Sequence, residues 1–315
     1  MIGRSEIIDT ALAALRQYGE SGDSSFECIG LLADGSSVRG IKTYRLYQKA
    51  SFLRAVELGE AESALCERKQ GFLSHPHVKI FDLSEFEGSD GERAKRIVFS
   101  VRRDVPSAES YEAVRMFFDG GEHRCADTVM NIAKLTEETL SPGKSPVVQI
   151  GAEYDRSGRE REIKVYYSLN RCRDFRDLYG VPSAYGELSE YLRETVGLLG
   201  FDGSVTESFD REARVIERFG YHPTIIGINF KKDITEFKLY YLFAGNREDY
   251  KRVCAEGYPF SRLGDDYSGV GDELFDGGLF LKGIAQSCVL HGGKSSGTDD
   301  LRLYYFRVPR QLKNS

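Results

Sequence analysis

Two stretches of this chain repeat one another almost element for element. Val147 to Gly180 reads VVQIGAEYDRSGREREIKVYYSLNRCRDFRDLYG, and Thr224 to Gly257 reads TIIGINFKKDITEFKLYYLFAGNREDYKRVCAEG. In each, a β-branched run reaches a glycine (Gly151, Gly227) and a polar turn follows. A second strand then carries Lys-x-Tyr-Tyr, and an Asn-Arg pair opens a helical segment that stops at a glycine. Asparagine satisfies the free N–H groups at a helix start and glycine tolerates the left-handed turn at its end, so local chemistry alone predicts strand, turn, strand, helix. A third copy runs from LFLKGIAQ across HGGKSSGTDD to LRLYYFRV, with Arg302 in the basic slot. A fainter copy pairs HVKIFDL with RIVFSVRR, with Arg96 in that slot, and continues into a helix from Ser107 to Phe118 stopped by Gly120-Gly121.

The intervals between the basic residues exceed one hairpin plus one helix, so further elements lie between the copies. SAYGELSEYLRETVGLLG reads as an amphipathic helix with Leu188, Tyr191, Leu192, Thr195 and Leu199 on one face. It is followed by GSVTESF, read as a short strand, and DREARVIERFG, read as a helix. A degenerate fifth unit is therefore expected around Val205 to Phe209. Five such units predict an α+β fold in which about ten antiparallel strands close into a barrel surrounded by helices, because closure removes exposed edges. A (β/α)₈ barrel is disfavoured, since its strands are parallel and each is followed by a helix. The repeat runs through the chain, so residues 1–315 are expected to form one barrel domain.

Side chains on a strand alternate between faces, which sorts the repeated motif. Val165, Leu239 and Leu303, with the second tyrosines, suit the helix-covered face. Lys164, Lys238 and Arg302, with Tyr166, Tyr240 and Tyr304, are then expected to point into the barrel. A buried cation is costly without a partner, and the partner expected here is an anionic ligand. The formal net charge of −6 excludes a general nucleic-acid or membrane-surface binder, leaving a local, enclosed anion site. The six cysteines are scattered singly with no framework spacing, and no apolar run reaches the length of a membrane span; both predict a cytoplasmic protein with reduced thiols.

With the repeated units, the Lys-x-Tyr and Arg-x-Tyr strands and the terminal LRLYYFRV, the chain resembles the ABBA-type aromatic prenyltransferases from about Val78 to Val308. Within that group it is most similar to the small cyanobacterial branch, which includes hapalindole-type indole-alkaloid enzymes and cyanobactin peptide prenyltransferases. The resemblance implies an enzyme of secondary metabolism that moves a dimethylallyl or geranyl group from its diphosphate to an aromatic ring. It assigns Arg96, Lys164, Lys238 and Arg302 to the diphosphate and Tyr166, Tyr240 and Tyr304 to shielding the allylic cation. No basic residue occupies the degenerate unit, so the clamp is expected to be either weaker or completed by Lys282, Gln286 or a metal ion. A carboxylate must hold or deprotonate the acceptor, and the candidates are Asp82 and Glu207. A small indole is favoured as acceptor because Glu207 lies among small residues (Ser204, Thr206, Ser208), with a cyclic peptide as the alternative. A non-catalytic barrel that binds a hydrophobic anion is the reading from another class.

Other signals carry less. His75 with His77, and His123 with Cys125, have loose metal-ligand spacing but no second pair, so no zinc site is assigned. Asp265-Asp266 and Asp299-Asp300 are isolated pairs in turn-like sequence, not an aspartate-rich diphosphate motif; no cofactor is required and Mg2+ is optional. P-loop and dinucleotide-binding glycine motifs are absent, and the Gly-x-Ser-x-Gly match at Gly293 to Gly297 lies in the glycine-rich turn HGGKSSGTDD rather than at a strand-to-helix elbow.

Overall fold

In the computed structural model of the protein, successive strands pair as hairpins and every pairing is antiparallel. The structure describes residues 9, 12, 24–34, 37–48, 69–88, 93–102, 105–119, 125–155, 159–169, 185–243, 245–255, 270–295 and 300–307. The hairpins are β1 (Ser24–Asp34) with β2 (Ser37–Gln48), β3 (Val78–Gly88) with β4 (Arg93–Val101), and β5 (Val147–Tyr154) with β6 (Glu160–Ser168). They continue as β7 (Tyr221–Phe230) with β8 (Ile234–Phe243), and β9 (Leu279–His291) with the two-residue β10 (Lys294–Ser295) and β11 (Asp300–Arg307). Each hairpin also pairs with the next; β9 bonds β8, and β11 bonds β1. Leaving β10 aside, ten strands therefore form a closed ring with no free edge, as the repeats predicted.

The hairpin turns gather at one end and the helical connections leave from the other. These helices are α1 (Gln70–Ser74), α2 (Ser107–Phe118), α3 (Ala126–Leu140), α4 (Tyr185–Leu198), α5 (Gly203–Arg218), α6 (Arg247–Ala255) and α7 (Val270–Asp276). α2 has the predicted bounds, and α4 buries Leu188, Tyr191, Leu192 and Thr195. At α6, Asn246 is the expected cap: its Oδ1 accepts from the Asp249 N–H at 3.0 Å, and Asp249 Oδ2 in turn accepts from the Asn246 N–H at 3.2 Å. The helix expected between Asn170 and Gly180, and the stop at Gly257, lie outside the described residues.

The motif's second residue and second tyrosine face the helices. Val165, Tyr167, Leu239, Tyr241, Leu303 and Tyr305 are all fully buried there, each apolar side chain worth roughly 1.5–3 kcal/mol of burial. Tyr167 donates its hydroxyl to the Val129 carbonyl of α3 at 3.0 Å, and Phe237 of β8 packs edge-on against Phe209 of α5 with ring centroids 5.5 Å apart. The two tyrosines of the motif thus serve different faces: one anchors the helical layer, the other lines the interior.

One expected unit is overturned. Val205 to Phe209 is not a strand but the first half of α5, continuous with the predicted helix after it. Asp202 Oδ1 caps this helix by accepting from the Ser204 N–H at 2.9 Å. Val205, Phe209, Ala213 and Ile216 form its buried stripe, and Gly220 ends it at a φ of 78°. The fifth hairpin comes from the N-terminal region instead. Lys42-Thr43-Tyr44 of β2 takes the Lys-x-Tyr positions. Among the described residues no helix is long and apolar enough to cross a membrane.

Candidate active site

The second strand of every hairpin runs away from the turn end, so its inward residues descend in levels about 6.6 Å apart, two residues at a time. Lys42, Arg96, Lys164, Lys238 and Arg302 occupy one such level, each almost wholly withdrawn from solvent except the half-buried Arg302. The anionic partner expected for them is already built into the barrel. Glu153 of β5 lies 2.8 Å from Lys42 Nζ and 2.9 Å from Lys164 Nζ. Lys164 also contacts Glu162, which reaches Lys231 at 3.2 Å. Glu236 lies 2.8 Å from Lys238 Nζ and 2.6 Å from Arg302 Nη2, and accepts from Asn229 Nδ2 at 2.7 Å. Internal glutamates, and not a ligand anion alone, therefore neutralise part of the charge expected in the lumen.

Burial and pairing set the protonation states. Burial raises the carboxyls on its own, but Lys42 and Lys164 hold Glu153 well below the usual carboxylate range, and Arg302 and Lys238 do the same for Glu236. Lys164 is buried yet pulled upward by Glu162 and Glu153. Lys42 has only Glu153 against burial, Lys164 and Arg96, and falls to about 7. Burial and the neighbouring Arg302 pull Lys238 well below its ordinary value, with Glu236 offsetting only part. Glu236 is thus ionised chiefly against Arg302.

One level deeper the phenols form a belt. Ring centroids are 5.9 Å apart for Tyr44–Tyr304, 5.8 Å for Tyr304–Tyr240 and 5.9 Å for Tyr240–Tyr166. The remaining gap falls at β4, where Val98 stands at the tyrosine's place. Arg96 bends down to fill it: its guanidinium carbon lies 4.7 Å from the Tyr44 ring centre, and Nη1 donates to the Tyr166 hydroxyl at 2.7 Å. Burial raises Tyr44, Tyr240 and Tyr304, so these phenols stay neutral. Their rings need a bare backbone beside them. A Cβ on Gly227 would sit 2.8 Å from Tyr240 Cε2 and 3.1 Å from two Tyr166 ring carbons, so glycine is required there by close approach.

The residues singled out from sequence are therefore divided. Lys164, Lys238, Arg302, Tyr166, Tyr240 and Tyr304 line the lumen together, and Arg96 joins them at the phenol level. Glu207 does not: it is exposed on α5 outside the barrel, because the segment is helical. Lys282 sits at an irregularity in β9 and donates to the Phe243 carbonyl at 2.8 Å, while Gln286 accepts from Tyr241 on the helix-covered face at 2.9 Å, so neither completes the clamp. Position 82 lies opposite Val98 and two residues from buried Ser84, which pairs with Arg96, so its backbone stands on the lumenal row; its side chain lies outside the described residues. His77 bonds Glu109 of α2 at 2.8 Å, away from the lumen, and among the described residues no group of three or more His, Cys, Asp or Glu could hold a metal ion. Sequence reading missed Lys42, Tyr44 and the glutamates, although Lys42-Thr43-Tyr44, Glu162-Ile163-Lys164 and Glu236-Phe237-Lys238 carry the signal openly.

Above the cations the barrel opens into a cavity of about 620 Å³ at the hairpin end, lined among others by Lys42, Glu153, Glu162, Lys164, Glu236 and Arg302. No protein-family profile and no curated protein sequence matches this chain. Its likeness is to solved structures. NotF prenyltransferase shares 12% identity over 90% of this chain and 80% of that one, with a TM-score of 0.55. AnaPT from Neosartorya fischeri shares 11% over 90% and 78%, at 0.53. The 6-dimethylallyltryptophan synthase from Micromonospora olivasterospora, solved in complex with DMASPP and Trp, shares 11% over 97% and 98%, at 0.50. The fold is the ABBA prenyltransferase barrel. Within that barrel, the cation ring and the tyrosine belt occupy successive levels below the open mouth.

Proposed function

We propose that this protein is an aromatic prenyltransferase that moves an allylic group from its diphosphate to an indole-containing small molecule. The observation that carries the reading is the layering: a ring of cations directly above a belt of neutral tyrosines, in a closed barrel open at the cation end. A diphosphate seated in the mouth lies at the level of Lys42, Lys164, Lys238 and Arg302, and its hydrocarbon tail reaches the phenols. When the C–O bond breaks, the electron pair leaves with the diphosphate, and fixed cations stabilise the charge that develops on the leaving oxygens. The allylic cation left behind lies against tyrosine faces, which attract it by about 0.5–2 kcal/mol each and keep water away. The acceptor ring supplies the electron pair for the new C–C bond and then loses a proton. Asp82 is the carboxylate proposed to hold or deprotonate it; Glu207 is excluded by its place on α5.

An indole acceptor is favoured by the belt that four phenols and the Arg96 guanidinium close together, which encloses a flat ring more completely than a cyclic peptide, and by the Trp in the complex of the similar synthase. Incubation with dimethylallyl or geranyl diphosphate, with tryptophan, simple indoles or cyclic peptides, is the test. Diphosphate release that depends on an indole acceptor supports it. Release only with peptides selects the alternative acceptor, and no release with any acceptor leaves a binding barrel and overturns the enzyme reading.

A further inference from the structure

Two lumenal carboxylates stand where a phosphate would. Glu153 takes Lys42 and Lys164, and Glu236 takes Lys238 and Arg302, each within 2.6–2.9 Å of both cations. A phosphoryl group bound by the ring would accept from these same four side chains. The cation ring is therefore a filled site rather than an open clamp, and an incoming diphosphate must take its donors from the glutamates. Both carboxylates also line the mouth cavity, so they have solvated space to move into, near Arg159 and Arg161 at that end. Their two strands, β5 and β8, keep them within reach while the site is occupied.

On the reading that the ring binds an allylic diphosphate, we propose that Glu153 and Glu236 are built-in competitors that drive the inorganic diphosphate product out after transfer. A ring with this many cations binds a polyanion tightly, and before transfer the hydrocarbon tail in the tyrosine belt adds to that affinity. After transfer the product carries one further negative charge, on the oxygen that took the bonding pair, but has lost the tail. Tethered carboxylates compete at a fixed, high local concentration, on the order of millimolar or above. They therefore weaken donor and product alike, and only the donor compensates through its tail. Product release limits turnover in many enzymes, so a device of this kind acts on kcat rather than on the bond-breaking step.

The charged groups that would hold the glutamates in place are also those that hold the ligand. Glu153 faces Lys42, Lys164 and Glu162, with Arg96 opposite it on β4; Glu236 faces Lys238 and Arg302 and accepts from Asn229. The test measures inorganic pyrophosphate binding to the whole protein by calorimetry for wild type, Glu153→Gln, Glu236→Gln and Glu236→Asp. Glutamine removes the charge at constant length, and aspartate keeps the charge but shortens its reach. Each variant is expected to bind pyrophosphate about tenfold or more tightly, a change of about 1.4 kcal/mol or more. The same variants should show unchanged or faster single-turnover transfer but slower steady-state turnover, with stronger inhibition by pyrophosphate. Where a variant is marginally stable, the thermal upshift caused by pyrophosphate reads the same affinity. Weaker or unchanged pyrophosphate binding in all three variants would mean that the carboxylates only hold the cations in position, and overturns the inference while leaving the enzyme reading intact. A wild-type protein that binds no pyrophosphate even at millimolar concentration removes the diphosphate reading itself.

Discussion

Replacing Tyr240 separates an electrostatic belt from a merely apolar wall. Its ring centroid lies 5.9 Å from that of Tyr166 and 5.8 Å from that of Tyr304, so it occupies the middle of the three-ring run directly below Lys238. Tyr240→Phe keeps the negative π face, and because the buried phenol is neutral it loses only a hydroxyl. Tyr240→Leu keeps much of the apolar volume and loses the face. One aromatic face contributes about 0.5–2 kcal/mol to a desolvated cation. At about 1.36 kcal/mol per tenfold, the leucine variant should transfer the prenyl group about 2- to 30-fold more slowly in a single turnover, and the phenylalanine variant should stay within about twofold of wild type. Binding of a thiolodiphosphate analogue, which never forms the cation, should be equal in all three. The leucine variant should also divert more donor to the free prenyl alcohol, because a less stabilised, less shielded cation is captured by water. Leucine and phenylalanine variants of equal rate and equal partitioning would refute the cation-stabilising role and leave the belt as packing alone.

Removing the ammonium or guanidinium of Lys164, Lys238 or Arg302 by substitution with Ala should weaken the thiolodiphosphate analogue by about 1–3 kcal/mol each, read by calorimetry; unchanged affinity in all three would contradict the clamp. Gly227→Ala should destabilise the fold by about 1–3 kcal/mol in a denaturant melt and slow transfer, since the new methyl must displace Tyr240 or Tyr166. Lys42 falls from 10.5 to about 7 in the folded state, so between those values the unfolded chain carries more protons and ligand-free stability should rise with pH; below about 7 both states are protonated and the cost of burying the charge is present in full. Lys42→Met should reduce that rise, in guanidinium melts from pH 6.5 to 9. Glu207→Ala should leave transfer and analogue binding unchanged, because the side chain is on the outer surface of α5.

Much of this barrel can be read in the chain because both of its determinants are local. The two-residue period assigns Val165, Leu239 and Leu303 to the helical layer and Lys164, Lys238 and Arg302 to the lumen, and register then fixes which strands face one another. The misread segment shows the limit. GSVTESF carries the strand-favouring Val205, Thr206 and Phe209, and an expectation of a unit at that point favours a strand. Yet Val205, Phe209, Ala213 and Ile216 already describe a helical stripe across the supposed boundary, and Asp202-Gly203-Ser204 is a helix start. The N-terminal copy escaped notice because Tyr44 is followed by Arg45, where the copies at Lys164, Lys238 and Arg302 have a second tyrosine. Glu153 could not be paired with Lys42 from sequence at all, since they meet across the barrel lumen from strands that are not neighbours.

The motif nonetheless states the vertical order of the site. Glu162, Lys164 and Tyr166 follow one another at two-residue steps, as do Glu236, Lys238 and Tyr240, and their strands both run from the mouth inward. Carboxylate, cation and phenol are thus stacked in that order along the axis, and the polarity falls with depth. A molecule with a charged head and an apolar tail can lie along that gradient in only one sense: head at the level of Lys164 and Lys238, tail towards Tyr166 and Tyr240. The β4 copy departs from the pattern, with Arg96 above Val98, and the departure has a structural answer. The missing ring leaves space that the Arg96 guanidinium enters, bonding Tyr166 and covering Tyr44. The fixed positive charge at that one point of the belt sits where an allylic cation would be repelled, so the cation is driven towards the opposite wall, against Tyr240 and Tyr304. In the proposed reaction the reacting carbon would then lie nearest Tyr240, which makes Tyr240, rather than Tyr44, the ring whose loss should cost most.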